Sequence, residues 1–327
     1  MRSAKIRRPR GASLVAGVLG SILVAGFVVA AISARAAAGD GDPAGTSAAA
    51  NELTIPKAIV LGVVEGITEY LPISSTGHLT VTEQLLDIGQ TDATRDVTKS
   101  YTVIIQIGAI FAVIGLYWRR LRDMLLGIAG RSPTGRSTFV VLALAFIPAA
   151  FFGVVFGDTI QEELFGTGPV AAAWIVGGIA ILVFVRVFRR PPEVGIRLEE
   201  IGARQALVIG LAQALALWPG VSRSLVTIVA ALLVGLTLPA AVEFSFLLGL
   251  ATLSAASLYE IAKHGSEVID TFGWVSPIVG VVAAFVAAVL AIKWLVDYLN
   301  HHDLSIFGYY RIVVGVLALV LLATNTI

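Results

Sequence analysis

The stretch Gly62–Leu79, GVVEGITEYLPISSTGHL, sets Glu65, Glu69, Ser74, Ser75, Thr76 and His78 inside sequence otherwise apolar enough to lie in a bilayer. An ionisable side chain at that depth costs about 3 kcal/mol or more, so it persists where it faces polar partners or a cavity, and it marks a candidate site. Pro72 and Gly77 interrupt the helical pattern within the same stretch. Irregular backbone at membrane depth is tolerated only where protein surrounds it or where it lines a cavity.

Composition agrees with that setting. The chain is 57% hydrophobic and only 14% charged, against roughly 25% charged residues in a soluble domain, and its mean hydropathy is +0.88. Apolar runs at about 101–118, 137–157, 169–188, 240–262, 275–297 and 309–325 are each long enough to span. We therefore expect an all-α polytopic membrane protein. A net charge of +1 gives no basis for a nucleic-acid partner, and the absence of cysteine excludes disulfides, thiolate catalysis and Cys-ligated metal.

Charge distribution orders the segments. Arg2, Lys5, Arg7, Arg8 and Arg10 precede an uncharged run from Ala12 to Ser33, so residues 1–36 read as a signal-anchor or signal peptide with a cytoplasmic N-terminus. The run exceeds the 7–15 residues usual for a signal core, which favours an anchor. Residues 37–54 form a polar linker, and 55–327 form the membrane domain. The connections holding Arg119, Arg120, Arg122, Arg131 and Arg136, and then Arg186, Arg189, Arg190, Arg197 and Arg204, are expected on the cytoplasmic side. The acidic loop Asp158–Glu163 belongs on the other side. With those faces fixed, residues 55–89 must cross an even number of times, which suits a re-entrant helical hairpin.

A second interrupted stretch, GLAQALALWPGVSRSLVT, begins at Gly210. Gly62 matches Gly210, Glu65 matches Gln213, Tyr70 matches Trp218, and Pro72-Ile-Ser parallels Pro219-Gly-Val-Ser222. The pattern predicts an inverted-topology repeat, about 55–188 and about 204–325, with two re-entrant hairpins. About six core transmembrane helices and one extra N-terminal helix complete it. In such proteins the site lies where the broken helices meet.

These residue types suit phosphate chemistry. Glu65 and Glu69, four apart, share a helix face and can hold a proton or a divalent cation. Ser222 or Ser224 is placed to cap a helix whose free N–H groups, with the Arg223 guanidinium, suit phosphate oxygens. Ser74, Ser75, Thr76 and His78 repeat that layout at the first break. His78 can take the Ser75 hydroxyl proton or protonate a leaving phosphate. A structural pairing of Arg223 with Glu65 or Glu69 is the plainer alternative. His264, His301 and His302 lie near span ends and read as interfacial.

EGITEYLPISSTGH at 65–78 and PGVSRSLVT at 219–227 resemble the undecaprenyl-diphosphatase family linked to bacitracin resistance, and Glu243–Leu248 resembles a third segment of it. The likeness covers about 55–327, and Leu225 stands where the motif is expected to have Gly. The resemblance implies hydrolysis of the C55 isoprenyl diphosphate to the monophosphate and phosphate, recycling the carrier for peptidoglycan synthesis in the bacterial cytoplasmic membrane. It places Glu65, Glu69, Ser75, His78, Ser222, Arg223 and Thr227 on positions implicated in activity or in metal and phosphate binding. Together with the residue chemistry, this makes Ser75, His78, Glu69 and Arg223 the catalytic candidates. Ser74, Thr76, Ser222, Arg223, Ser224 and Thr227 are the phosphate-binding candidates, and Glu65 and Glu69 are expected to hold Mg²⁺ or Ca²⁺. The partners expected are the isoprenyl diphosphate lipid and membrane lipids, with a homo-oligomer left open and no nucleic acid. Because inverted repeats with broken helices are also a transporter architecture, a secondary transporter or lipid flippase is the rival.

Overall fold

The computed structural model describes residues 52–327 apart from 90, 189, 190, 325 and 327. The signal-anchor or signal peptide expected over 1–36, and the linker up to residue 51, lie outside the described residues.

The described chain is helical: α1 (Ile55–Thr68), α2 (Ser75–Leu85), α3 (Asp92–Leu116), α4 (Trp118–Ile128), α5 (Pro133–Leu164), α6 (Thr167–Val187), α7 (Ala203–Gln213), α8 (Arg223–Leu233), α9 (Leu238–Phe272), α10 (Val275–His301) and α11 (Ser305–Ala323). Among the described residues, six helices are long and apolar enough to cross a membrane, namely α3, α5, α6, α9, α10 and α11. They overlap the six apolar runs of the sequence, and the chain is a multi-pass membrane protein. The broken pairs α1/α2 and α7/α8 are each too short to count among them.

Two segments differ from the sequence expectation. Asp158–Glu163, expected as a loop, lies in the last turns of the 32-residue α5. No Pro or Gly stands between Gly157 and Gly166, and Glu, Gln and Ile extend a helix readily. The basic connection after the first span is likewise partly helical, as α4. Ser132 ends that connection by capping α5, accepting from the Gly135 N–H at 3.0 Å, while its hydroxyl donates to Asp123 at 2.8 Å. Arg120 on α4 bridges Glu199 at 2.8 Å and Glu243 at 2.7 Å, tying the 198–200 turn to the start of α9.

Small residues let the broken pairs seat closely on long helices. α1 packs along α10, where a Cβ on Gly62 would strike the Gly280 carbonyl and one on Gly66 the Ala284 carbonyl. α7 packs along α5, where Gly210 meets the Ala145 carbonyl in the same way. α3 lies against α9, and α6 against α11. Both breaks also share an uncommon backbone turn: Ser74 has φ 73° and ψ 107°, Ser222 has φ 74° and ψ 111°, and each immediately precedes the second helix of its pair. A non-glycine residue held there costs about 1–3 kcal/mol and persists only when its surroundings impose it.

Candidate active site

α1 carries Glu65 within its length and Glu69 at its C-cap, so the second carboxylate sits at the mouth of the first break. Ser74 and Ser75 then open α2, and Ser222 and Arg223 open α8. Folding brings the two openings together around Glu69. One Glu69 oxygen accepts from Arg223 Nη2 at 2.9 Å, and the other accepts a hydrogen bond from the Ser75 hydroxyl. The carboxylate thereby joins a hydroxyl from one break to a guanidinium from the other.

Arg223 is further held by the Ser245 carbonyl at 3.2 Å and lies over the Tyr70 ring at 5.4 Å. A Cβ on Gly249 would strike its guanidinium, so glycine in α9 leaves the fork its room. Only 12% of the Arg223 side chain and 6% of the Glu69 side chain are exposed, and a pair this dry depends on good geometry for both partners.

Glu65 is completely buried, and neither carboxylate oxygen has a hydrogen-bond partner among the described residues. Buried carboxylates left so are rare, and their oxygens suit a proton or a cation. Among the described residues no three His, Asp, Glu or Cys side chains cluster as a metal site. Glu65 fits a cation that takes its other ligands from phosphate oxygens and water, as Mg²⁺ commonly does. Gln213, which the sequence comparison set against Glu65, is also buried with its amide unpartnered among the described residues.

The remaining candidates divide by partner. Ser222 is the residue that caps α8, accepting from the Leu225 N–H at 3.3 Å, while Ser224 donates to the Leu71 carbonyl at 2.8 Å and so joins the second break to the first. The Leu225 side chain is part of the apolar core. Thr227 is buried against Ser245, with the two hydroxyls 2.6 Å apart. Thr76 is half-buried in the first turn of α2, and its carbonyl accepts from Thr80.

The serine and histidine are arranged otherwise than their spacing suggests. Ser75 donates to Glu69, whereas sequence offered His78 as its acceptor. His78 Nδ1 lies 2.6 Å from the Ser74 carbonyl and Nε2 lies 2.8 Å from the Tyr310 hydroxyl. A carbonyl can only accept, so Nδ1 carries a proton, and the imidazole braces the strained residue before Ser75.

Sequence reasoning passed over four residues. Arg311 is completely buried and donates to the carbonyls of Pro72, Ala173 and Gly220. It is the single charge in an apolar helix, a signal that could have found it. Tyr310 adjoins it. Ser245 stands inside the Glu243–Leu248 segment. Trp174, whose indole donates to the Ile73 carbonyl at 2.8 Å, carried no local signal.

A family model described as bacitracin resistance protein BacA matches residues 58–317. The chain is 43% identical over 264 residues to the undecaprenyl-diphosphatase of Sorangium cellulosum, covering 80% of this chain and 84% of that one. It is 45% identical over 269 residues to undecaprenyl-diphosphatase 2 of Rhodospirillum rubrum, covering 82% and 94%. With undecaprenyl-diphosphatase 1 of Acinetobacter baylyi the identity is 40% over 274 residues, covering 84% and 97%.

Proposed function

The chain belongs to the bacitracin resistance protein BacA family, and we propose that it hydrolyses undecaprenyl diphosphate to undecaprenyl phosphate and inorganic phosphate in the bacterial cytoplasmic membrane. That reaction returns the lipid carrier to peptidoglycan synthesis and confers bacitracin resistance. The observation that carries the reading is the shared carboxylate: Glu69 takes the Ser75 hydroxyl on one oxygen and Arg223 on the other.

In the proposed mechanism the diphosphate enters between the openings of α2 and α8. Phosphoryl transfer is catalysed mainly by positioning and by neutralising charge on the phosphate oxygens. Arg223 and the helix N-termini supply donors for that purpose. Ser75 Oγ attacks the terminal phosphorus, its proton passes to Glu69, and undecaprenyl phosphate leaves with the bridging oxygen. Water then attacks the phosphoserine, the bond between Ser75 Oγ and phosphorus breaks, Oγ takes back the proton held by Glu69, and the water's proton leaves on the inorganic phosphate. His78, by holding the Ser74 carbonyl, keeps Ser75 aimed. Glu65, alongside Glu69, would hold Mg²⁺ or Ca²⁺, which would supply positive charge to the diphosphate oxygens.

The two broken pairs are proposed to be re-entrant hairpins of an inverted-topology repeat. Supporting this, α1 packs on α10 as α7 packs on α5, and α3 pairs with α9 as α6 pairs with α11. Gly62 and Gly210 make equivalent contacts, and Ser74 and Ser222 share one backbone conformation.

The test is phosphate release from undecaprenyl diphosphate by the detergent-purified full chain, with and without chelator, beside Glu69→Gln and Arg223→Ala. Metal-dependent release lost in both variants supports the reading. No release from folded wild-type protein across several lipid diphosphates and metals rejects it in favour of transport.

A further inference from the structure

Every carbonyl from Leu71 to Ser74 accepts a side-chain hydrogen bond. Ser224 donates to Leu71 at 2.8 Å, Arg311 to Pro72 at 3.4 Å, Trp174 to Ile73 at 2.8 Å and His78 to Ser74 at 2.6 Å. Leu71 to Ser74 are buried and lie outside the helices, so each donor helps fix the turn. Ser224 belongs to the second break itself, whereas Arg311 stands on a separate helix, α11, and reaches both breaks from there. Its Nη2 donates to the Gly220 carbonyl at 2.8 Å and to Ala173 on α6 at 2.9 Å.

The placement is regular. Pro72 lies three residues before Ser75, and Gly220 lies three residues before Arg223. One rigid, planar fork therefore holds both chains at the same remove from the two groups that meet on Glu69. Room for the fork is made by Gly177, where a Cβ would strike the guanidinium. No carboxylate pairs with Arg311 among the described residues, so carbonyl dipoles alone meet its charge.

We propose that Arg311 is a positioning residue that sets the register of the two breaks, and through it the geometry of Ser75 and Arg223. Its hydrogen bonds among the described residues go to the Pro72, Ala173 and Gly220 carbonyls, and it acts through the backbone. This inference rests on the phosphatase reading of the Ser75–Glu69–Arg223 site. Loss of register should lower turnover with little effect on substrate capture, because a displacement near 1 Å at the reacting groups costs about a hundredfold.

The test uses Arg311→Lys, which keeps the charge and loses the fork, and Gly177→Ala, which keeps the arginine and crowds it. Both are expected to lower kcat about a hundredfold, with KM within about threefold and the folded fraction unchanged. Because the chain has no cysteine, spin labels on cysteines placed at the exposed positions Val63 and Leu215 report the separation of the two broken pairs independently of activity. A narrow distance distribution in the otherwise unaltered chain should broaden in Arg311→Lys. Wild-type kcat in folded Arg311→Lys and Gly177→Ala, or an unchanged distance distribution, overturns the proposal. If Arg311→Lys does not fold, Gly177→Ala decides by both readouts. Inactive wild-type protein would refute the phosphatase reading, while the distance measurement would still decide the role of Arg311.

Discussion

Glu69 and Arg223 lie 154 residues apart in the chain and 2.9 Å apart in space. Each stands at the edge of a helix break, and Glu69 spends its second oxygen on Ser75. The pair therefore serves as the seam between the two breaks and as the centre of the proposed chemistry.

Removing either member of the seam leaves the other buried and unmatched. Glu69→Gln and Arg223→Ala should each lower phosphate release about a hundred- to a thousandfold. Because they act as one unit, the double variant should be little worse than either single one. A double-mutant cycle on turnover measures this, and additive losses would separate the two roles.

Ser75→Ala removes the proposed nucleophile and should lower turnover about a thousandfold, with the Glu69–Arg223 pair left in place. Rapid quenching of the wild-type reaction should capture a phosphorylated Ser75 by mass spectrometry. Near-normal turnover in Ser75→Ala would assign the attack to water directly.

The unpartnered carboxylate of Glu65 gives a prediction in two readouts. Glu65→Gln should raise the Mg²⁺ or Ca²⁺ concentration for half-maximal activity at least about tenfold. Ligand that binds only the folded state raises thermal stability, so added cation should raise the Tm of the wild type more than that of Glu65→Gln at the same concentration. An equal rise in both would remove Glu65 from the cation site.

Outside the membrane-spanning segments, the Glu199 carboxyl is held below its ordinary value of 4.5, first by a hydrogen bond from its own backbone N–H and then by Arg120. A carboxyl lowered on folding adds stability that is present above its unfolded pKa and lost as pH falls through the folded one. The Tm in detergent should thus drop as pH falls below about 4.5, and Glu199→Gln should flatten that part of the profile. Scanning calorimetry or fluorescence melts from about pH 6 to about pH 3 would check it, and identical profiles would discount the Arg120 bridge.

Sequence disclosed the elements whose cause is local. Six spans follow from uninterrupted apolar runs, and the breaks follow from Pro72 and Pro219 with serine at each turn. Glu65, Glu69, Ser75 and Arg223 stood out because charge and hydroxyl are costly in that setting. Partner choice was hidden, since it depends on contacts between distant helices. The spacing of Ser75 and His78 suggested a pair, yet Ser75 turns to Glu69 and His78 to Ser74 and Tyr310. Arg311 went unused because its run read as one more span, and the acidic end of α5 looked like a loop because polarity was mistaken for the end of a helix.

Pro72 leaves the ribosome 239 residues ahead of Arg311, the side chain that completes its hydrogen bonding. A nascent chain inserted only as far as α8 already carries Glu65, Glu69, Ser75, His78 and Arg223, but the donor that registers its two breaks is still unmade. Hydrolytic competence thus waits on insertion of the last helix, and stalled or truncated chains should sit in the membrane without consuming the lipid carrier's diphosphate.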